Sequence, residues 1–121
     1  MRFIVYGAGA VGGVLGAHLS AAGQEVVLIA RGAHLAAIRR YGLQAQYPDG
    51  ERTHRIAAAA GPDEVRWRPD DVVLMTMKSM DTYEAVRALA RHAGPATPVV
   101  CVQNAVANER VALRSFAHVY G

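Results

Sequence analysis

One lysine, one cysteine and one tryptophan are all that 121 residues supply of those types. A single cysteine, Cys101, excludes an intrachain disulfide. Its place in the apolar run Pro98 to Val102 reads as a buried structural thiol, in a chain suited to a reducing compartment. No apolar run approaches the roughly 20 residues of a membrane-spanning helix. The amino terminus enters an apolar segment after one arginine, without the basic-then-apolar order of a leader peptide. A cytoplasmic protein with no membrane association is the expectation. The five histidines, His18, His34, His54, His92 and His118, have no metal-ligand spacing with one another or with Cys101, so no metal is expected and surface or helix-face positions are. Formal charge is +3, yet the basic residues are scattered singly and in pairs instead of forming a stripe, which argues against a nucleic-acid partner. Of the 13 basic residues all but Lys78 are arginine, which singles out that lysine.

What the chain does have is concentrated at its start. The apolar stretch Phe3, Ile4, Val5, Tyr6 runs into Gly7, Ala8, Gly9, Ala10, Val11, Gly12, the G-x-G-x-x-G spacing of a dinucleotide-binding turn. Gly7 allows a sharp turn off the strand, Gly9 allows bare backbone to approach a pyrophosphate, and Gly12 allows the next helix to pack closely on the strand. Free N–H groups at the start of that helix would face the phosphates. The helix spans Val11 to Ala22, with Val14, Leu15, His18 and Leu19 at helical spacing, and Gly23 stops it.

A second strand, Glu25 to Ala30, ends in Ala30, Arg31, Gly32. Sites selective for NAD place an acidic residue there to bind the ribose 2′-hydroxyl, and this chain has none. A guanidinium matches phosphate oxygens with a planar fork of donors, so Arg31 points to the 2′-phosphate of NADP(H). The alternative, an exposed loop arginine in an arginine-rich chain, is disfavoured by its place at the carboxyl end of a strand.

Beyond Arg31 the pattern predicts a helix over Ala33 to Tyr41, then a β-hairpin of Leu43 to Tyr47 and Arg52 to Ala57 around the turn Pro48, Asp49, Gly50. Gly61 to Pro69 reads as a polar loop anchored by Trp67. Asp71 to Met77 has the continuous apolar character of a strand covered on both faces. Asp81 and Glu84 open a helix to about His92, with Tyr83, Val86 and Ala90 on one face. Pro98 to Val102 is another buried strand, Val106 to Phe116 a helix, and His118 to Tyr120 a last strand. Alternating strands and helices imply right-handed crossovers. The expected fold is therefore α/β: one Rossmann-like doubly wound parallel sheet of order 3-2-1-4-5-6, with an inserted hairpin, over residues 1–121.

Ligands of such sheets lie outside the carboxyl ends of the strands, where strand order reverses. The glycine turn, Arg31, the pair Lys78 and Ser79, and the pair Gln103 and Asn104 all fall at strand ends. Ser79 reads as a helix cap and not a nucleophile, because no histidine base is assigned near it.

Four segments, GAGAVGG at 7–13, LIAR at 28–31, VLMTMKS at 73–79 and CVQNAVANE at 101–109, together resemble the ketopantoate reductases, or 2-dehydropantoate 2-reductases, over the whole chain. The resemblance implies NADPH binding by residues 7–12, 2′-phosphate contact by Arg31, cofactor contact by Lys78, and Asn104 beside the nicotinamide and the substrate, a 2-oxo acid. Ala105 and Ala107 stand where that family carries glycines. The family's helical carboxyl-terminal domain, which supplies its catalytic lysine and most substrate contacts, is absent from this chain. No confident catalytic residue is therefore assigned within residues 1–121, the chain alone is expected to be inactive, and an apolar cleft side would favour homo-oligomers. A non-catalytic NADP-binding module acting with a separate partner chain is the alternative from another class. Reductases of imines or of 6-phosphogluconate share the glycine turn but are not expected to carry Lys78 and the Gln103–Asn104 pair in this arrangement.

Overall fold

The computed structural model describes residues 1–77, 81–102 and 107–120. In chain order the elements are β1 (Arg2–Tyr6), α1 (Ala10–Ala21), β2 (Glu25–Ile29), α2 (Gly32–Tyr41), β3 (Leu43–Tyr47), β4 (Gly50–His54) and β5 (Ala57–Ala59). A 3-10 turn (Pro62–Glu64) leads to β6 (Asp71–Met75), α3 (Thr82–Ala90), β7 (Val99–Cys101), α4 (Ala107–Leu113) and β8 (Val119–Tyr120). Six strands form one sheet of order β5-β2-β1-β6-β7-β8, and each of its neighbouring pairs is parallel. This is the expected doubly wound order. The antiparallel pair β3–β4 stands apart as the inserted hairpin.

Because successive side chains of a strand point to opposite faces, each strand feeds two core layers. Ile4, Ile29, Val73, Met75 and Val99 pack under α3 and α4 with Leu89 and Phe116. Val5, Leu28 and Leu74 pack on the other face, with Ala17 from α1, Ile38 from α2 and Leu43 from the hairpin. A fully buried residue of this size contributes about 1.5–3 kcal/mol, so burial on both faces holds the strands in register.

Helix α1 differs from the expected pattern. Its buried face is Gly12, Gly16 and Ala17, Leu15 and Leu19 are half-buried, and Val14 and His18 are exposed. A Cβ on Gly16 would stand 2.8 Å from the Leu28 side chain, so the helix lies too near the sheet for larger residues on that face. Glycine costs about 1 kcal/mol relative to alanine inside a helix. Tertiary contact therefore holds α1 in place more than intrinsic propensity does. In α3 the buried residues are Thr82, Ala85, Val86 and Leu89; of Tyr83, Val86 and Ala90, read from the sequence as sharing one face, only Val86 is buried and the other two are exposed. Tyr83 instead lies beside the Arg87 guanidinium, 5.7 Å from the ring centre.

The hairpin is tighter than expected. Tyr47 pairs with Gly50, so Pro48 and Asp49 alone form the turn, and β4 ends at His54. Ala57, assigned from the sequence to that hairpin, belongs to β5, which extends the main sheet by pairing with β2 from Val27↔Ala57 to Ile29↔Ala59. Tyr47 faces α1, its hydroxyl 2.9 Å from His54 Nε2 and its ring edge-on to His18. Trp67 anchors its loop as expected, its Nε1 donating to the Pro62 carbonyl at 3.0 Å. Strands β6 and β7 are each shorter than the apolar runs that contain them, and α4 ends at Leu113, before the expected Phe116.

At the amino ends of β1 and β6, Arg2 and Asp71 are register partners. Arg2 Nε and Nη2 donate to the two Asp71 carboxylate oxygens at 2.8 and 2.7 Å. Arg2 Nη2 also donates to the Arg66 carbonyl, and the Arg68 backbone N–H donates to Asp71. Both side chains are buried, and the hydrogen bond with Asp71 keeps the Arg2 guanidinium charged more firmly than in water. A bidentate pair with further hydrogen bonds to backbone is the form in which buried charge is tolerated.

Candidate cofactor-binding site

At the opposite end of the sheet, β1 leaves through Gly7, whose φ of +103° is a left-handed conformation suited to glycine. A Cβ there would also meet the Met77 backbone nitrogen at 2.8 Å. Thr76 fixes this exit: its N–H and hydroxyl both donate to the Tyr6 carbonyl at 3.0 Å, and the hydroxyl also lies 2.6 Å from the Gly7 carbonyl. Gly12 sits against the same group. A Cβ on it would fall on the Gly7 carbonyl oxygen and 2.5 Å from Thr76 Oγ1. A Cβ on Gly9, by contrast, would meet nothing within 4 Å, so the middle glycine borders open space. The three glycines thus do different things: the first turns, the third admits the helix, and the second keeps room.

Gly9 is the N-cap of α1, makes no side-chain capping bond, and the first turn of the helix holds no acidic residue. Orphan N–H groups and the positive end of the helix dipole are thereby left available to an anion. Ala8 is buried, Ala10 opens the helix, and Val11 is exposed at the cavity edge.

A cavity of about 600 Å³ opens in front of this turn. Arg31, the N-cap residue of α2, lines it from the end of β2 and is exposed; its carbonyl accepts from the Leu35 N–H, and its guanidinium makes no hydrogen bond or ion pair with any described residue. Next to it His34 also lines the cavity, and its Nε2 is hydrogen-bonded to the Ala8 carbonyl. A carbonyl can only accept, so Nε2 carries the proton. Asp81 and Glu84 line the far wall with Ala85 and Ala88. The D-x-x-E start of α3 is therefore located as expected, but Asp81 makes no capping bond.

The lower edge is built by β5. Ala30 N–H donates to the Ala59 carbonyl at 3.0 Å, and Ala60 N–H donates to Glu64 Oε1 at 2.9 Å. Arg39 Nη2 meets the same carboxylate at 2.9 Å. The Ala60 N–H and the Arg39 guanidinium hold the Glu64 carboxyl below the usual glutamate range. Tyr6 reaches the cavity from the floor, and burial pushes its phenol above the usual tyrosine range, against an opposing effect of the Arg31 charge.

This brings the glycine turn and Arg31 to one cavity. Lys78, Ser79, Gln103, Asn104 and Ala105 lie outside the described residues, and Ala107 opens α4. The sequence reading missed His34 and Tyr6. A histidine three residues past the Arg31 cap was legible as a first-turn neighbour of that arginine; nothing local marks Tyr6 as more than a core aromatic. Among the described residues there is no cluster of three or more potential metal-ligating side chains, and no helix long and apolar enough to cross a membrane.

An uncapped helix start facing an open cradle, beside a guanidinium that pairs with none of the described residues, suits a ligand with two separate anionic groups.

The sequence profile of the family described as ketopantoate reductase PanE/ApbA matches residues 3–121. A 2-dehydropantoate 2-reductase of Pyrococcus abyssi is 37% identical over 109 residues, which are 90% of this chain and 35% of that protein. One from Mesorhizobium japonicum is 36% identical over 107 residues, 88% of this chain and 32% of that protein. The chain thus spans about a third of the length of these relatives. Among solved structures, a PanE/ApbA family ketopantoate reductase from Ralstonia eutropha JMP134 superposes with a TM-score of 0.89 at 33% identity, covering 98% of this chain and 40% of that one. A D-mandelate dehydrogenase solved with NADH and anilino(oxo)acetate superposes with a TM-score of 0.87 at 25% identity, covering 98% of this chain and 39% of that one.

Proposed function

Since the chain belongs to the ketopantoate reductase family, we propose that residues 1–121 are the NADP(H)-binding domain of a reductase acting on the keto group of 2-dehydropantoate or a similar 2-oxo acid. Pantothenate synthesis and a cytoplasmic location are part of the same reading. The observation that carries the cofactor choice is Arg31, an exposed guanidinium without a partner among the described residues, at the cavity edge and just past a strand whose carboxyl end has no carboxylate.

In this reading the start of α1 and the backbone of residues 7–12 hold the pyrophosphate, and Arg31 holds the 2′-phosphate. His34 fixes the turn to α2 through the Ala8 carbonyl, so the two phosphate sites keep their spacing. Bound there, NADPH supplies the hydride for the keto carbon. Lys78 as a further cofactor contact, and Asn104 as the group that orients the substrate carbonyl near the nicotinamide, rest on the family resemblance. A neutral amide has no readily transferable proton near pH 7, so Asn104 positions and does not protonate. The general acid is assigned to the part of the relatives outside the matched third, and turnover by these 121 residues alone is expected to be negligible.

Titration calorimetry with NADPH and NADH, on the protein and on Arg31→Ala, tests the proposal. A charge-assisted phosphate contact of roughly 1.5–3 kcal/mol should give NADPH about a 10- to 100-fold advantage that Arg31→Ala removes. Equal affinities in the parent protein would overturn it, and tighter binding of NADH would point to the cofactor with which the D-mandelate dehydrogenase was solved.

A further inference from the structure

We infer that Tyr6 is a specificity-determining residue of this site, its hydroxyl donating a hydrogen bond to the 2′-phosphate from the cavity floor while Arg31 holds that phosphate from the rim. The inference rests on the NADP(H) reading above and adds a residue to it.

Strand geometry comes first. Ile4 and Tyr6 share the sheet face under α3, and Ile29 and Ala59 from the neighbouring strands β2 and β5 occupy the same layer. Ile4, Ile29 and Ala59 are fully apolar and buried, so the layer itself asks for an apolar residue at position 6. Tyrosine there is only partly buried, and its ring packs against the layer while the residue lines the cavity alongside Arg31. The hydroxyl makes no hydrogen bond to any described residue. A phenol O–H drawn partly out of water without a partner is a cost that phenylalanine at the same place would avoid. A ligand atom in the cavity would remove that cost.

The charges around it decide what kind of atom. The Arg31 charge favours ionisation of the phenol, and the charge of Asp63, in the 3-10 turn, opposes it. Burial outweighs the arginine and keeps the phenol protonated, so near neutral pH it is a donor. A donor beside a guanidinium is matched by an anionic oxygen that accepts from both, which among the parts of the dinucleotide near Arg31 is the 2′-phosphate.

The test is calorimetric titration of the protein and of Tyr6→Phe with adenosine 2′,5′-bisphosphate and with AMP, which differs from it only in lacking the 2′-phosphate, with a thermal melt of each variant. Tyr6→Phe keeps the ring and should keep the melting temperature. It is expected to weaken the bisphosphate about five- to tenfold and to leave AMP unchanged. The same loss for both nucleotides, or no loss for either, overturns the assignment. If the parent protein binds the bisphosphate no better than AMP, the NADP(H) reading falls and the Tyr6 role falls with it. If the parent prefers the bisphosphate and Tyr6→Phe keeps that preference in full, the role of Tyr6 alone is refuted.

Discussion

The two ends of the central strands are built on opposite principles. At the amino ends of β1 and β6, Arg2 and Asp71 are buried and the hydrogen bonds between them and to the Arg66 and Arg68 backbone are internal. At the carboxyl ends, the same two strands open onto a cavity bordered by glycine backbone, an uncapped helix start and Arg31, whose guanidinium has no partner among the described residues. Charge at the closed end is consumed by the fold, and charge at the open end is left for something else. Stability and binding are thereby assigned to different ends of one pair of strands, and each can be disturbed with limited effect on the other.

The largest effect is expected of Asp71→Asn at the closed end. It leaves the Arg2 charge buried without its counter-ion, for which a loss of about 3–5 kcal/mol is expected. Chemical denaturation should show a lower midpoint, while nucleotide affinity of the folded fraction stays within about twofold of the parent. A variant as stable as the parent would mean that the pair is replaceable by a neutral hydrogen bond.

Within the open end, two glycines sharpen the contrast. Gly12→Ala forces a methyl onto the Gly7 carbonyl and against Thr76, so a loss of roughly 1–3 kcal/mol in stability is expected together with weakened binding. The first side-chain carbon of Gly9→Val meets no protein atom, so this variant should leave the melting curve nearly unchanged while abolishing dinucleotide binding. Circular dichroism melts paired with cofactor titration separate the two. Retained binding in Gly9→Val would show that the turn only connects strand to helix.

The smallest effect belongs to Glu64, the exposed carboxylate that ties the cavity edge at Ala60 to Arg39. Its folded-state affinity for protons is depressed. The contact therefore contributes stability above the usual glutamate range, and this contribution is lost as pH falls through the lowered folded value. Glu64→Gln should flatten that acid-side part of a stability-against-pH curve and change little at pH 7, because the carboxylate is exposed and its pairing is screened by solvent. A curve of unchanged shape would remove Glu64 from the acid response.

Much of the fold and half of the candidate site were legible in the sequence. An apolar strand running into three spaced glycines and a helix dictates a β-turn-α unit, since local sterics and periodicity suffice to specify it. Arg31 was legible as a site residue for the same reason: it directly follows a strand whose neighbours fix where it ends. The Asp71 strand declared itself by a continuous apolar run, the pattern of a strand covered on both sides. Periodicity misled where packing distance mattered. Val14 in α1 and Tyr83 in α3 look like core residues on a helical wheel but are exposed, because α1 approaches the sheet on glycine and alanine and α3 on Thr82, Ala85, Val86 and Leu89.

The sequence by itself thus determined the order and type of most elements, the glycine turn and the cation at the end of the second strand, because those depend on neighbours in the chain. Tertiary structure alone decided that Ala57–Ala59 is an edge strand, which alanine's weak strand preference does not announce. It also decided that Arg2 meets Asp71, that His34 bonds the Ala8 carbonyl, and that Tyr6 shares a cavity with Arg31. Each of these joins residues far apart in the chain, and which distant residues meet is set by strand register and helix approach, quantities that no local window of sequence contains.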